Sequence, residues 1–126
     1  MASTLTRAQS RKHRGYKTQR LLAARWRAKG IAPYAKAVGA GEQGEDILDM
    51  PTFSVEIKAR DTVSLPAALR QADHGDGKVP VVVCRHNGQG EASIVEWTVT
   101  MRLVDWEELA EAYWQLEGLL RDRYAD

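Results

Sequence analysis

The chain has 126 residues, 18 Lys and Arg against 17 Asp and Glu, a formal net charge of +1 and a single cysteine. That length suits one domain with one core, and one cysteine excludes both an intrachain disulfide framework and a thiolate zinc site, as expected for a reducing, cytoplasmic setting. No apolar stretch approaches the ~20 residues that span a bilayer, and the basic N-terminus has no apolar signal-peptide core, so no membrane contact is expected.

The near-neutral total hides an asymmetry. Ten Lys and Arg and no acid lie between Met1 and Ala37, whereas seven acids face three Arg between Thr100 and Asp126. The first end is suited to a polyanion such as DNA. Residues 1–14 are polar and basic, and are expected to form a flexible arm ahead of a single domain spanning 15–126. Tyr16 to Lys29 reads as a helix stopped by Gly30. Gly39 to Gly44 is a glycine-rich loop without the Gly-Lys-Ser/Thr ending of a nucleotide-binding loop, suited to a close backbone approach to a ligand or DNA strand.

The stretch from Gly44 to Lys58 reads as two short strands joined by a turn at Pro51, with Asp46 on the first strand and Glu56 and Lys58 on the second. Side chains alternate along a strand, so Glu56 and Lys58 share one face while Val55, Ile57 and Ala59 take the other. Ser64-Leu65-Pro66 opens a helix running to about His74, with Pro66 in the first turn, and Gly75-Asp76-Gly77 breaks it. Val79 to Arg85 reads as a buried strand holding Cys84 as a small core residue, Asn87-Gly88 as a turn, and Ser93 to Leu103 as a further, bent strand. Asp105 caps the last helix with Glu108 as its capping-box partner. Trp106, Leu109, Tyr113, Leu116 and Leu120 form its apolar stripe, widened by Trp114 and Leu119. The order α-β-β-α-β-β-α defines an α/β fold with a mixed central sheet flanked by helices.

Two carboxylates and an ammonium beside one pair of strands are the equipment for holding a divalent cation and hydrolysing a phosphodiester. The run Gly-Glu-Asp46-Ile, then Val-Glu56-Ile-Lys58, a helix carrying Gln71, and Val-Pro-Val-Val-Val resembles the PD-(D/E)XK nuclease superfamily, over roughly residues 15 to 110. Within it the chain is most similar to Holliday junction resolvases of the archaeal and phage type. The Glu-x-Lys motif alone is short, and its weight comes from the strand context, the spaced Asp and the element order.

The resemblance implies a restriction-endonuclease-like core and an Mg²⁺-dependent endodeoxyribonuclease, with Mn²⁺ as an alternative metal. It implies Asp46, Glu56 and the Ile57 carbonyl as metal ligands, Lys58 as the residue that positions or deprotonates the attacking water, and Gln71 as an orienting residue. It also implies a homodimer making paired nicks in branched DNA, the four-way junction. Phosphate contacts are expected from Arg11, Arg14, Lys17, Gln19, Arg20, Arg25, Arg27 and Arg60, without a base-reading helix. The family often carries a Glu on its first helix; this chain has Gln19 as the nearest polar residue, so a second metal site is in doubt. Another endonuclease of the same fold, acting on flaps, ends or specific sites, and a non-catalytic DNA-binding accessory protein remain open alternatives. His13, His74 and His86 are too scattered to form a zinc site.

Overall fold

The structure, a computed structural model, describes residues 7–38, 45–60, 62–86 and 88–124, with side chains described from Gly15 onward. The glycine-rich loop from Gly39 to Gly44, Asn87 and the side chains of Arg11 and Arg14 therefore lie outside the described residues.

The apolar run before Arg85 forms β4 (Val79–Cys84), buried on both faces at all but its first residue. A strand so placed has no polar face to offer water, which is why it reads as a continuous hydrophobic run. It pairs in parallel with β3 (Phe53–Lys58), in register from Phe53 opposite Val79 to Lys58 opposite Cys84, and antiparallel with β5 (Thr98–Thr100). A separate antiparallel pair joins β1 (Lys36–Ala37) to β2 (Ile47–Leu48). The chain is thus α/β with helices and mixed sheets.

Helix α1 (Arg7–Lys29) packs on one face of β3, and α2 (Leu65–Ala72) packs on the other face of β3 and on β4. Leu22 and Ala23 of α1 join Ala32, Ala35, Ile47, Met50, Val55, Ile57, Val81 and Val83 in the main core, with Trp26 and Trp97 packed against it. On the α2 face, Ala68 meets Val82 and Cys84 in a smaller cluster. Cys84 is buried, and burial pushes its thiol pKa up, as fits a packing residue. Ala68 and Ala72 let α2 sit close to the sheet, and the buried Ser54 hydroxyl donates to the Ala72 carbonyl at 2.5 Å, satisfying an acceptor that the helix end leaves open.

Several expectations need correction. α1 begins at Arg7, so the helix takes in the second half of the segment expected to be an arm. The strands around Pro51 do not form a hairpin ladder, because β2 pairs with β1, a strand too short to show alternation in the sequence. Asp46 precedes β2 instead of lying on it. The link to β3 is the Asp46 N–H donating to the Val55 carbonyl at 3.0 Å. The turn between them is strained: Phe53 N–H donates to the Pro51 carbonyl at 2.7 Å across Thr52, whose φ is 69°.

α2 stops at Ala72, two residues short of the expected end, and Asp73 closes it. The bent strand expected from Ser93 is a 3₁₀ turn (Glu91–Glu96) followed by β5. There, Ile94, Trp97 and Met101 reach the core at spacings of three and four, which overrides alternation. α3 (Leu103–Tyr124) starts before Asp105, which lies in its first turn and not at the cap. An acid there still favours the helix through the macrodipole. No helix among the described residues is long and apolar enough to cross a membrane.

Candidate active site

Alternation on β3 puts Ser54, Glu56 and Lys58 on the α2 face and Phe53, Val55 and Ile57 on the α1 face. Glu56 is 4% exposed, an unusual position for a carboxylate. Its Oε1 lies 3.1 Å from Lys58 Nζ, and that ammonium also donates to Gln71 Oε1 at 2.8 Å. Glu56, Lys58 and Gln71 therefore come together, Gln71 arriving from the last turn of α2.

Asp46 reaches the same place from the opposite edge of β3. Its Oδ2 accepts the Ile57 N–H at 2.6 Å, its own N–H goes to Val55, and its carbonyl accepts the Val38 N–H at 3.1 Å. Three bonds thus tie one residue to β3 and to the end of β1. The Arg85 N–H donates to the Lys58 carbonyl at 2.9 Å, so the backbone polar groups of Lys58 face β4. By alternation those of Ile57 face the Asp46 edge, where the Ile57 N–H is found.

The electrostatics are unbalanced. Burial raises the pKa of Asp46 above its ordinary value, partly countered by the Ile57 N–H, Lys58 and His74. Burial likewise raises Glu56, the charge of Asp46 adds to the rise, and Lys58 and His74 oppose it. Two carboxylates that each resist ionisation beside one ammonium form a site short of positive charge. Their hydrogen bonds occupy one oxygen of each, Asp46 Oδ2 and Glu56 Oε1. Among the described residues, no group of three or more His, Cys, Asp and Glu side chains is arranged to hold a metal ion. Any metal held here would rest on this carboxylate pair plus main-chain or solvent oxygen.

Of the expected phosphate contacts, Lys17, Arg20 and Arg27 line, with Tyr16, Lys36 and the acid Glu91, a cavity of about 580 Å³ between α1 and β1. Arg27 also donates to the Ala35 carbonyl at 2.6 Å, and Arg20 lies over the Tyr16 ring. Arg25 lines a neighbouring cavity beside Glu91, and Arg60 is exposed beyond β3. Gln19 differs from the helix-surface reading: its Oε1 is buried and, among the described residues, has no hydrogen-bond partner. Glu45 pairs with Lys78 at 3.3 Å and is not a member of the carboxylate site.

Two residues escaped the sequence reading. His74 follows α2 and bears on both carboxylates, which sequence distance hides. Arg85 donates from Nε to the Gln89 carbonyl at 2.6 Å and from Nη1 to Thr18 Oγ1 at 2.9 Å, and covers the Trp97 ring at 5.4 Å. The available signal was its position: an arginine closing an apolar run at a core-facing register. Comparison with protein-family models, curated proteins and solved structures gives no match.

Proposed function

We propose that this chain is a metal-dependent, structure-selective DNA endonuclease with a restriction-endonuclease-like core, acting in the cytoplasm as a Holliday junction resolvase. The observation that carries the reading is the convergence of Asp46 and Glu56, both reluctant to ionise, on a Lys58 ammonium held by Gln71. The carboxylate pair fits a hard divalent cation, Mg²⁺ or Mn²⁺, whose charge would relieve the excess of buried negative charge. Asp46 and Glu56 would hold it with the Ile57 carbonyl, which by strand alternation faces the Asp46 edge. A cation so held supplies a Lewis acid to a phosphate and acidifies a bound water.

The remaining roles belong to the chain itself. Lys58 has three N–H donors, of which Glu56 and Gln71 engage two. The third is left to orient the attacking water or a phosphate oxygen. Gln71 holds that ammonium from the helix side, and Asp46 braces the backbone of β3 around Ile57. The cavity beside α1, where Lys17, Arg20, Arg27 and Lys36 outnumber the one acid Glu91, offers Lys17, Arg20 and Lys36 to the phosphate backbone, a contact that reads shape and charge and not base sequence. Branched DNA gives such a reader something to select.

The test is cleavage of a labelled four-way junction against a matched linear duplex, with Mg²⁺ or EDTA, by wild type, Asp46→Asn and Gln71→Ala. The expected result is paired nicks in the junction, abolished by EDTA and by Asp46→Asn and reduced at least tenfold by Gln71→Ala. Equal cutting of both substrates would retain the nuclease and remove the junction selectivity. Tight DNA binding without cutting in Mg²⁺ or Mn²⁺ would overturn the enzymatic reading.

A further inference from the structure

The cavity of about 580 Å³ beside α1 holds more than cations. Along α1, Lys17, Arg20, Ala24 and Arg27 succeed each other at spacings of three and four, so they share one face of the helix. Ala23 and Ala24 carry only a methyl group, which leaves the space between the longer side chains open. Lys36 closes the cavity from β1, and Glu91 closes it from the start of the 3₁₀ turn. Arg27 is engaged by the Ala35 carbonyl at 2.6 Å, so Lys17, Arg20 and Lys36 are the cations offered to a ligand.

Phosphate binding alone has no use for the aromatic group in this cavity. Tyr16 is 37% exposed and stands one helical turn before Arg20, whose guanidinium lies 5.7 Å from the ring centroid. A guanidinium stacked on a ring is a platform for the face of a nucleobase. In a duplex those faces are covered by the neighbouring base pairs, so such a platform serves an unpaired nucleotide. Glu91 points to the same class. A free phosphate would gain nothing from this carboxylate, whereas a nucleotide carries its charge on the phosphate and N–H donors on its base edge. The volume falls within the range of about 300–1,000 Å³ for sites that enclose a small molecule, which suits a nucleotide and not a duplex.

The place suits a strand that is being cut. Ala37 lines the cavity, and the next residue, Val38, donates its N–H to the Asp46 carbonyl at 3.1 Å. The cavity wall is thus tied through one residue to the carboxylate site. Resting on the DNA-cutting reading of Asp46 and Glu56, we infer that this cavity is a subsite for an unpaired nucleotide of a DNA strand. Its base stacks on the Tyr16–Arg20 pair, and its phosphates meet Lys17, Arg20 and Lys36. Branched DNA with unpaired nucleotides at the branch point is then preferred over a fully paired branch.

The test is binding measured by fluorescence anisotropy in EDTA, where no metal-dependent cutting occurs. The probes are a short labelled single-stranded oligodeoxynucleotide, the same sequence as a blunt duplex, and the same strand with abasic sites, all at one salt concentration. The full chain is expected to bind the single strand more tightly than the duplex. Tyr16→Ala should weaken single-strand binding about tenfold, the loss of one base–aromatic stack, and spare duplex binding. Tyr16→Phe, which keeps the ring, should bind as wild type does. The abasic strand should bind wild type as weakly as the intact strand binds Tyr16→Ala. Tighter binding of the duplex, equal losses on both probes in Tyr16→Ala, or an abasic strand bound as tightly as the intact one would each overturn the inference. A chain that captures the single strand in this way and never cuts in Mg²⁺ would keep the subsite and lose the nuclease, so the two fail separately.

Discussion

Replacing Asp46 separates the two things its carboxylate does. The Oδ2 atom accepts a 2.6 Å bond from the Ile57 N–H, and the charge sits where burial raises its pKa. Asp46→Asn retains a carbonyl to accept that bond and removes the charge; Asp46→Ala removes both. A hydrogen bond to a charged group is worth about 1.5–3 kcal/mol, and an unmet N–H in a partly buried place adds to its loss. Asp46→Ala should therefore destabilise the fold by about 2 kcal/mol. Asp46→Asn should stabilise it by about 1 kcal/mol at neutral pH, the usual scale when a site kept for function is relieved.

The sign over pH follows from linkage. An acid whose folded pKa lies above its unfolded one binds protons more tightly in the folded state, so stability falls as pH rises from the ordinary carboxylate range through the folded pKa. The advantage of Asp46→Asn over wild type should thus be absent in acid below the ordinary Asp range and grow through that window. Urea melts in EDTA at a series of pH values measure it. Asp73 and Asp76, whose pKa values are lowered by hydrogen bonds, act in the opposite direction but cancel in the difference between the two proteins. If Asp46→Asn loses as much stability as Asp46→Ala, the charge is stabilising and the account of an electrostatically unbalanced site fails.

Saturating Mg²⁺ should raise the melting temperature at neutral pH, since a ligand present at 100 times its Kd adds about 2.7 kcal/mol. The rise should be absent in Asp46→Asn and shrink in mild acid as the two carboxylates take up protons; an equal rise in that variant at neutral pH would place the ion elsewhere. Thr52→Gly should raise the melting temperature by a few degrees. A strained dihedral costs about 1–3 kcal/mol and Gly loses about 0.5–1 kcal/mol, while the exposed Thr52 has little packing to forfeit. A fall in melting temperature would show that Thr52 makes a contact worth more than its strain.

What was legible in the sequence was whatever depends on local period. The burial of Val79–Cys84, the shared face of Glu56 and Lys58 and the Pro66 helix start all follow from side-chain direction along one element. What was not legible depends on which elements meet. Nothing in Lys36-Ala37 announces a strand, because two residues cannot show alternation and the pairing with Ile47-Leu48 supplies the reason for it. The 3₁₀ turn at Glu91 was hidden because Ile94, Trp97 and Met101 answer to the core they reach and not to a strand period. Arg85 reads as the end of a strand until Thr18, Gln89 and Trp97 are seen around it.

The site repeats that division. Glu56 and Lys58 are neighbours by strand geometry alone, but Gln71 and Asp46 arrive by long-range bonds. Ser54, one strand repeat before Glu56, grips the last carbonyl of α2, and Ala68 and Ala72 let the helix come close enough for that grip. With α2 fixed at Ala72, the preceding residue, Gln71, is held at the mouth of the Glu56–Lys58 pair. A helix fixed along its length by apolar packing alone could slide; a single hydrogen bond at its end sets its register against β3. Precision at Lys58 therefore depends on Ser54, a residue with no chemical role of its own.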